Sequence, residues 1–404
     1  MHLRTLDLEE FRVFHRLHLD LPSNGLAISG SNAAGKSSLI EAIAFLATTR
    51  SIRSAPDRDL INWESGQELG YPPFARLSGQ VVRSDGVAEI EIALQADPTG
   101  VAPLTKSIRL NGRAVRAMDL VGTLRVVLFS PEDVALVSGP PSGRRRYLDV
   151  MISQVDTRYM RTLARYNRVH EQRNSLLKSL GQSRVDPDSP AVASQLEFWD
   201  EELVTYGASV IARRMVSIQA LSRFADARFE TFGSTQTLGV AYRPSVGEEA
   251  ALAASEGRFV EDLSAIIRNR YLEQLRANRR DELRRGITLY GPHRDDLVLT
   301  LDGRDLAAFG SRGQQRLAVV ALKLAETDLM AQESGERPVV LLDDVLSELD
   351  AERREQLLAA VGALDAQIII TATDASLLDI PALADLTRYE IRAGKLYRAD
   401  SVGA

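Results

Sequence analysis

The chain has 404 residues, 45% apolar and 26% charged, which excludes a disordered or fibrous chain and suits two or three globular domains. It contains no cysteine, which excludes disulfides and thiolate metal sites and fits a reducing compartment. The formal net charge of −6 argues against a polyanion partner for the chain as a whole, yet residues 142–178 hold nine Lys or Arg against three Asp or Glu.

The N-terminus, Met1-His2-Leu3-Arg4, lacks the charged-then-apolar layout of a secretion signal. No apolar run approaches the ~18 residues of a membrane span, so a cytoplasmic protein with no membrane partner is expected. Leu3, Leu6, Leu8 and Phe11 predict a strand and turn, residues 17–21 an alternating strand, and residues 26–28 a short buried one. Gly30, Ser31, Asn32, Ala33, Ala34, Gly35, Lys36 and Ser37 follow as a complete G-x-x-x-x-G-K-S phosphate loop, and Ser38 continues into helix-forming sequence. The glycines let backbone N–H groups curl around a phosphate chain, and the helix adds its positive end. Lys36 then reaches the outer phosphates, and the Ser37 hydroxyl is placed to hold Mg²⁺. The alternative, a plain glycine turn before a helix, explains the lysine and serine less well. The loop predicts binding of a nucleoside triphosphate with Mg²⁺.

Strands are predicted at residues 74–82, 88–94 and 106–110, with a Pro/Gly loop at 97–103, an Asn111-Gly112 turn and a buried strand at 126–129. From about residue 143 the pattern turns helical. Leu163, Tyr166, Val169, Leu176 and Leu180 predict an apolar face. Arg158, Arg161, Arg165 and Arg168, spaced three, four and three apart, predict a basic stripe on another face. With Arg144, Arg145, Arg146 and Arg173 that stripe is a candidate DNA surface, sequence-nonspecific and salt-dependent; a solvated helix face is the alternative. After a loop at 182–190, Leu196, Trp199, Leu203, Tyr206 and Val210 predict a packed second helix, and a third spans 260–280.

Beyond residue 287 the pattern is α/β again. Gly291-Pro292-His293-Arg294 reads either as a contact to nucleotide or DNA, or as a strand-entry turn with a structural ion pair. Ser311, Arg312, Gly313 and Gln314 open a helix; Ser311 is either a plain N-cap or part of a second phosphate-facing helix end. An apolar strand at 339–342 ends in Asp343 and Asp344. Beside a phosphate loop, this predicts Asp343 at the Mg²⁺ and Asp344 orienting or deprotonating the attacking water. Ser347-Glu348-Leu349-Asp350 sits at an ATP-bridged interface or caps the next helix.

The order of phosphate loop, helical insertion, Ser311-Arg312-Gly313-Gln314, Asp343-Asp344 and the 347–350 loop resembles the SMC/ABC-type ATPase heads. More narrowly, Leu-Phe-Ser-Pro-Glu-Asp (128–133), Arg-Arg-Tyr-Leu-Asp (145–149), Gly-Pro-His-Arg-Asp-Asp (291–296) and Leu-Leu-Asp-Asp-Val-Leu-Ser-Glu-Leu-Asp (341–350) resemble the RecF family of bacterial DNA repair and replication proteins. The resemblance implies an α/β fold: an ABC/SMC-type P-loop ATPase head (1–157 and 286–404) with an inserted helical arm domain (158–285). It also implies an ATP-dependent homodimer that binds double-stranded DNA and single-strand/duplex junctions, and acts with RecO and RecR in RecA loading. Within that pattern Lys36 and Asp344 are catalytic, Ser37 and Asp343 hold the metal, and the 30–38 loop contacts ATP together with Ser311, Arg312, Gly313, Gln314 and Asp350. Three departures stand out: Arg312 where ABC signatures carry a second glycine, Thr373 where transporters carry a switch histidine, and Asp344 where a glutamate is usual. Ser130 or Glu132 is the nearest equivalent of a glutamine contact to Mg²⁺. Slow hydrolysis is expected. A membrane-transporter subunit would place its signature about a hundred residues after the loop rather than about 275; an ATP-binding scaffold without turnover is the further alternative.

Overall fold

Strands form where hydrophobic alternation predicts them: His2–Phe11, Phe14–Asp20, Phe74–Arg83, Gly86–Gln95 and Thr105–Leu110. Together with Arg113–Ala114 they make a six-stranded antiparallel sheet in this computed structural model. The structure describes residues 1–53, 55–66, 71–97, 103–183, 186, 189–246 and 260–399, so most of the loop expected at 97–103, and residues 184, 185, 187 and 188 of the one expected at 182–190, lie outside them.

The chain divides into two compact units, Met1–Asp133 with Val319–Ala404, and Val134–Ala318. The bounds expected from sequence, 157 and 286, both fall inside the second unit. The reason is packing: the helix Pro141–Val155 associates with the helices Thr157–Gln182 and Pro190–Glu230, and the strand Asp296–Leu301 pairs with Leu238–Arg243, which packs on Pro190–Glu230.

In the first unit a second sheet runs in the order Lys395–Arg398, Thr387–Arg392, Gly25–Ser29, Ile368–Ala372, Val339–Asp343, Val126–Phe129. All neighbours but the terminal hairpin pair in parallel. The helix Lys36–Thr48 packs against strands of both sheets. That explains why its sequence is apolar on every side, with Leu39, Ile40, Ile43, Phe45 and Leu46 all fully buried. Its one buried acid, Glu41, is matched by Arg12 at 2.9 and 3.1 Å and by the Ser51 hydroxyl at 2.7 Å.

The second unit carries the helices Thr157–Gln182, Pro190–Glu230 and Val260–Ala277 and a three-stranded antiparallel sheet. The strand Leu238–Arg243 goes beyond the sequence expectation; it is short and lies between a long helix and the 247–259 stretch. The face of Thr157–Gln182 that is buried reads Tyr166, Val169, Arg173, Leu177, Leu180. Leu177 thus stands where the periodicity predicts Leu176, and an arginine takes a core position. Arg173 donates to Asp200 at 2.8 Å, Glu282 at 2.6 Å and Thr288 at 2.8 Å. Arg214, equally buried, donates to Asp149 at 2.7 Å and to the Pro292 carbonyl at 2.8 Å.

Candidate functional site

Parallel pairing aligns the carboxyl ends of three strands. Thr371 lies opposite both Ile28 and Asp343, and Ala372 opposite Ser29. The loop leaving Ser29 and the carboxylates ending Val339–Asp343 therefore open at one edge of the sheet, where ligands bind in open α/β folds.

Gly35 holds φ at +115°, a left-handed conformation that any side chain would strain, and a Cβ on Gly30 would meet the Ile391 carbonyl oxygen at 2.5 Å. Both glycines are therefore dictated by backbone geometry. The helix beginning at Lys36 has no side-chain cap and no acid in its first turn. Its first N–H groups and positive dipole end are left for an anion. The Lys36 ammonium, only 6% exposed, turns back onto the carbonyls of Gly30 (2.6 Å) and Ser31 (2.9 Å).

The Ser37 hydroxyl donates to Asp343 at 3.0 Å across 306 residues of sequence. Thr371 donates to the same carboxylate oxygen at 3.0 Å, and its hydroxyl also accepts the Asp344 N–H at 3.1 Å. Thr371 is thus the residue of this strand end that reaches the acids. A threonine inside an apolar strand carries no distinguishing signal, so the sequence alone does not single it out. Burial pushes the Asp343 carboxyl above its ordinary value; the Ser37 and Thr371 hydrogen bonds and the charge of Arg53 counter this, and Glu132 adds to it.

Asp344 sits in a left-handed conformation, φ 52° and ψ 25°, of the kind that clusters at functional sites. Its Oδ1 is buried without a hydrogen-bond partner among the described residues. That spare acceptor fits a metal-bound or attacking water, and the Ser37–Asp343 oxygen pair suits a hard cation such as Mg²⁺. Among the described residues no three His, Cys, Asp or Glu gather into a metal cage, so such an ion would draw its remaining ligands from phosphate and water.

Ser311, in the second unit, makes a reciprocal capping box. Its N–H donates to Gln314 Oε1 at 2.9 Å and its hydroxyl accepts from the Gln314 N–H at 3.2 Å. Arg312 is exposed and Gly313 half-buried in the first turn that follows. Asp350 caps the helix Ala351–Gly362 by accepting the Arg353 N–H at 2.9 Å.

The arginines expected to form one surface separate. Arg158, Arg161, Arg165 and Arg168 are exposed. Arg144 is not: it is buried in a two-point ion pair with Asp296 at 2.7 and 2.9 Å. Arg145 is half-buried and donates to the Asp295 carbonyl at 2.8 Å, and Arg173 lies in the core. These three leave the expected stripe because each is engaged by a neighbouring acid or carbonyl. His293 is internal too. Its Nε2 faces the Thr288 carbonyl at 3.1 Å and must donate, so Nδ1 accepts from the Tyr166 hydroxyl at 2.6 Å.

Among the described residues no helix is long and apolar enough to cross a membrane. A family model described as the RecF/RecN/SMC N terminal domain matches residues 2–385. The DNA replication and repair protein RecF of Thermomicrobium roseum is 47% identical over 98% of this chain and 99% of its own length. That of Chloroflexus aurantiacus is 44% identical over 98% and 100%. A solved structure of the recombination mediator protein RecF-ATP in the RecFOR pathway superimposes with a TM-score of 0.83 at 30% identity, covering 98% of this chain and 97% of that one. An Smc head domain from Pyrococcus furiosus shares the fold, with a TM-score of 0.52 at 17% identity over 98% and 95% of the two chains. The phosphate loop, the paired acids and the α/β head that joins them are therefore those of a member of the RecF family of DNA replication and repair proteins, to which this chain belongs.

Proposed function

We propose that this chain is a Mg²⁺-dependent ATPase that closes as a homodimer around ATP to hold double-stranded DNA and single-strand/duplex junctions. The observation that carries the reading is the Ser37–Asp343 hydrogen bond at 3.0 Å, set beside the buried Lys36 and the unpartnered oxygen of Asp344. Lys36 exchanges its two loop carbonyls for phosphate oxygens, a stronger charge-assisted contact. Ser37 and Asp343 hold Mg²⁺, which when bound screens the charge of the phosphates. Asp344 orients or deprotonates the attacking water. The loop and the uncapped first turn of Lys36–Thr48 cradle the phosphate chain with their backbone N–H groups.

Ser311, Arg312, Gly313, Gln314 and Asp350 meet the ATP of a second copy. The capping box supports this by fixing the helix end while leaving the Ser311 hydroxyl proton available. The four exposed arginines of Thr157–Gln182 contact DNA phosphates. Acting in the cytoplasm with RecO and RecR, the dimer aids RecA loading at gaps, and slow hydrolysis releases it.

Light scattering with and without ATP, and with and without duplex DNA, tests this reading. Dimer mass that appears with ATP and persists on DNA is expected; a chain monomeric under all four conditions overturns it.

A further inference from the structure

Asp344 joins the parallel strand Val339–Asp343 to a single 3₁₀ turn, Val345–Glu348. Asn111 and Asp302 share its left-handed backbone, but each precedes a glycine in a two-residue hairpin turn, where strand twist demands it. No hairpin demands it of Asp344. A residue other than glycine keeps that conformation where its surroundings impose it.

Both peptide groups flanking Asp344 are held by side-chain hydroxyls. Its N–H donates to Thr371 Oγ1 at 3.1 Å and to the Thr371 carbonyl at 3.2 Å, and its carbonyl accepts from the Ser347 hydroxyl at 2.8 Å. Two fixed peptide planes fix φ and ψ, and with them the direction in which the carboxylate leaves the backbone. Thr371 is fully buried, whereas Ser347 is exposed and still turns its proton inward. Arg354 steadies the turn that carries Ser347, donating to the carbonyls of Leu346 at 3.2 Å and Leu349 at 3.0 Å. A serine bonded to the carbonyl three residues back is also an ordinary local feature of a helical turn. Here, however, that carbonyl belongs to the residue whose Oδ1 is buried without a partner among the described residues.

We propose that the Ser347 hydroxyl is a positioning group for ATP hydrolysis. With Thr371 it holds Asp344 in its left-handed conformation, and so aims the spare carboxylate oxygen at the attacking water. The proposal rests on the ATPase reading and adds to it a residue that touches neither nucleotide nor metal.

The test is turnover of radiolabelled ATP by the full chain with Mg²⁺, alongside affinity for a fluorescent ATP analogue, ATP-dependent dimer mass and the urea midpoint. Ser347→Ala is expected to lower kcat about tenfold, with KM, analogue affinity, dimer mass and midpoint nearly unchanged. Ser347→Thr, which keeps the hydroxyl, should recover most of kcat. In an Asp344→Asn background, Ser347→Ala should lower kcat no further, because residues that act as a unit are not additive. Undiminished kcat in Ser347→Ala, a further tenfold loss in the Asp344→Asn background, or a fall in dimer mass or analogue affinity that accounts for the loss would each overturn the proposal and leave the ATPase reading standing. An unaltered chain without turnover, or an Asp344→Asn chain that hydrolyses ATP at the unaltered rate, sinks both together.

Discussion

Lys36 and Arg173 are both buried cations, 6% and 1% exposed, and they are satisfied in opposite ways. Arg173 is locked by two carboxylates and a hydroxyl, with Asp200 and Glu282 themselves almost wholly buried. Lys36 meets only neutral carbonyls, in a loop whose helix end is uncapped and near an acid with an unpartnered oxygen. The Arg173 charge is matched by two buried carboxylates, and the network specifies the core of its unit. The Lys36 site keeps donors and acceptors in reserve, and binding is where such reserve is used. Charge and burial alone do not separate the two kinds of site; the partners do.

Removing the locked cation should have the largest effect. Arg173→Leu leaves Asp200 and Glu282 buried without their counter-ion, and should lower stability by about 3–5 kcal/mol, read as a fall in the urea midpoint. A midpoint within error of the unaltered chain would show that the network is no more locked than the loop. Asp344→Asn should behave in reverse. Asparagine tolerates the left-handed backbone, so stability should hold or rise while kcat for ATP falls about 100-fold or more. Turnover that persists unchanged would mean that the spare oxygen activates no water.

The aromatic cluster beside Arg173 gives a pH test of about 2 kcal/mol. Burial, with Arg173 and Arg294 nearby, pushes His170 down to about 4. Burial, with His170 and then Arg294 and Arg145 nearby, pushes His293 down to about 3. The two ring centroids lie 4.0 Å apart with the planes tilted by 38°. Both are neutral when folded and take up protons more readily when unfolded. Their contribution is therefore complete above about pH 6.5 and is lost as pH falls from there toward 4 for His170 and toward 3 for His293, about 2 kcal/mol for each ring by pH 5. His293→Gln should flatten that slope in urea titrations at stepped pH; an unchanged slope would place the protons elsewhere. The smallest effect is at Asp350. Asp350→Ala should cost about 1 kcal/mol as a lost helix cap; if the residue also meets ATP across a dimer, ATP-dependent dimer mass falls further than that loss of stability explains.

Much of the nucleotide site is legible in the amino-acid sequence alone. Gly30, Gly35, Lys36 and Ser37 are bound by spacing, because a phosphate loop tolerates few alternatives, and Asp343-Asp344 end an unmistakable buried strand. Thr371 is not legible there, since only the order of parallel strands brings it beside Asp343. The basic stripe is legible only as a count of charges. Arg144 and Arg173 look like Arg158 and Arg165 in sequence, and differ in whether Asp296, Asp200 or Glu282 comes to meet them. One clue is present: Arg173 lies four residues after Val169 and seven after Tyr166, the spacing of a buried face.

By itself, then, the chain determined its local elements and the residue types its loop needs, because turns, helix ends and apolar periodicity are set by neighbours a few residues apart. Which charges are spent and which remain available was decided by tertiary structure alone, since a salt bridge such as Arg144 to Asp296 spans 152 residues and forms only when the fold brings its two ends within reach.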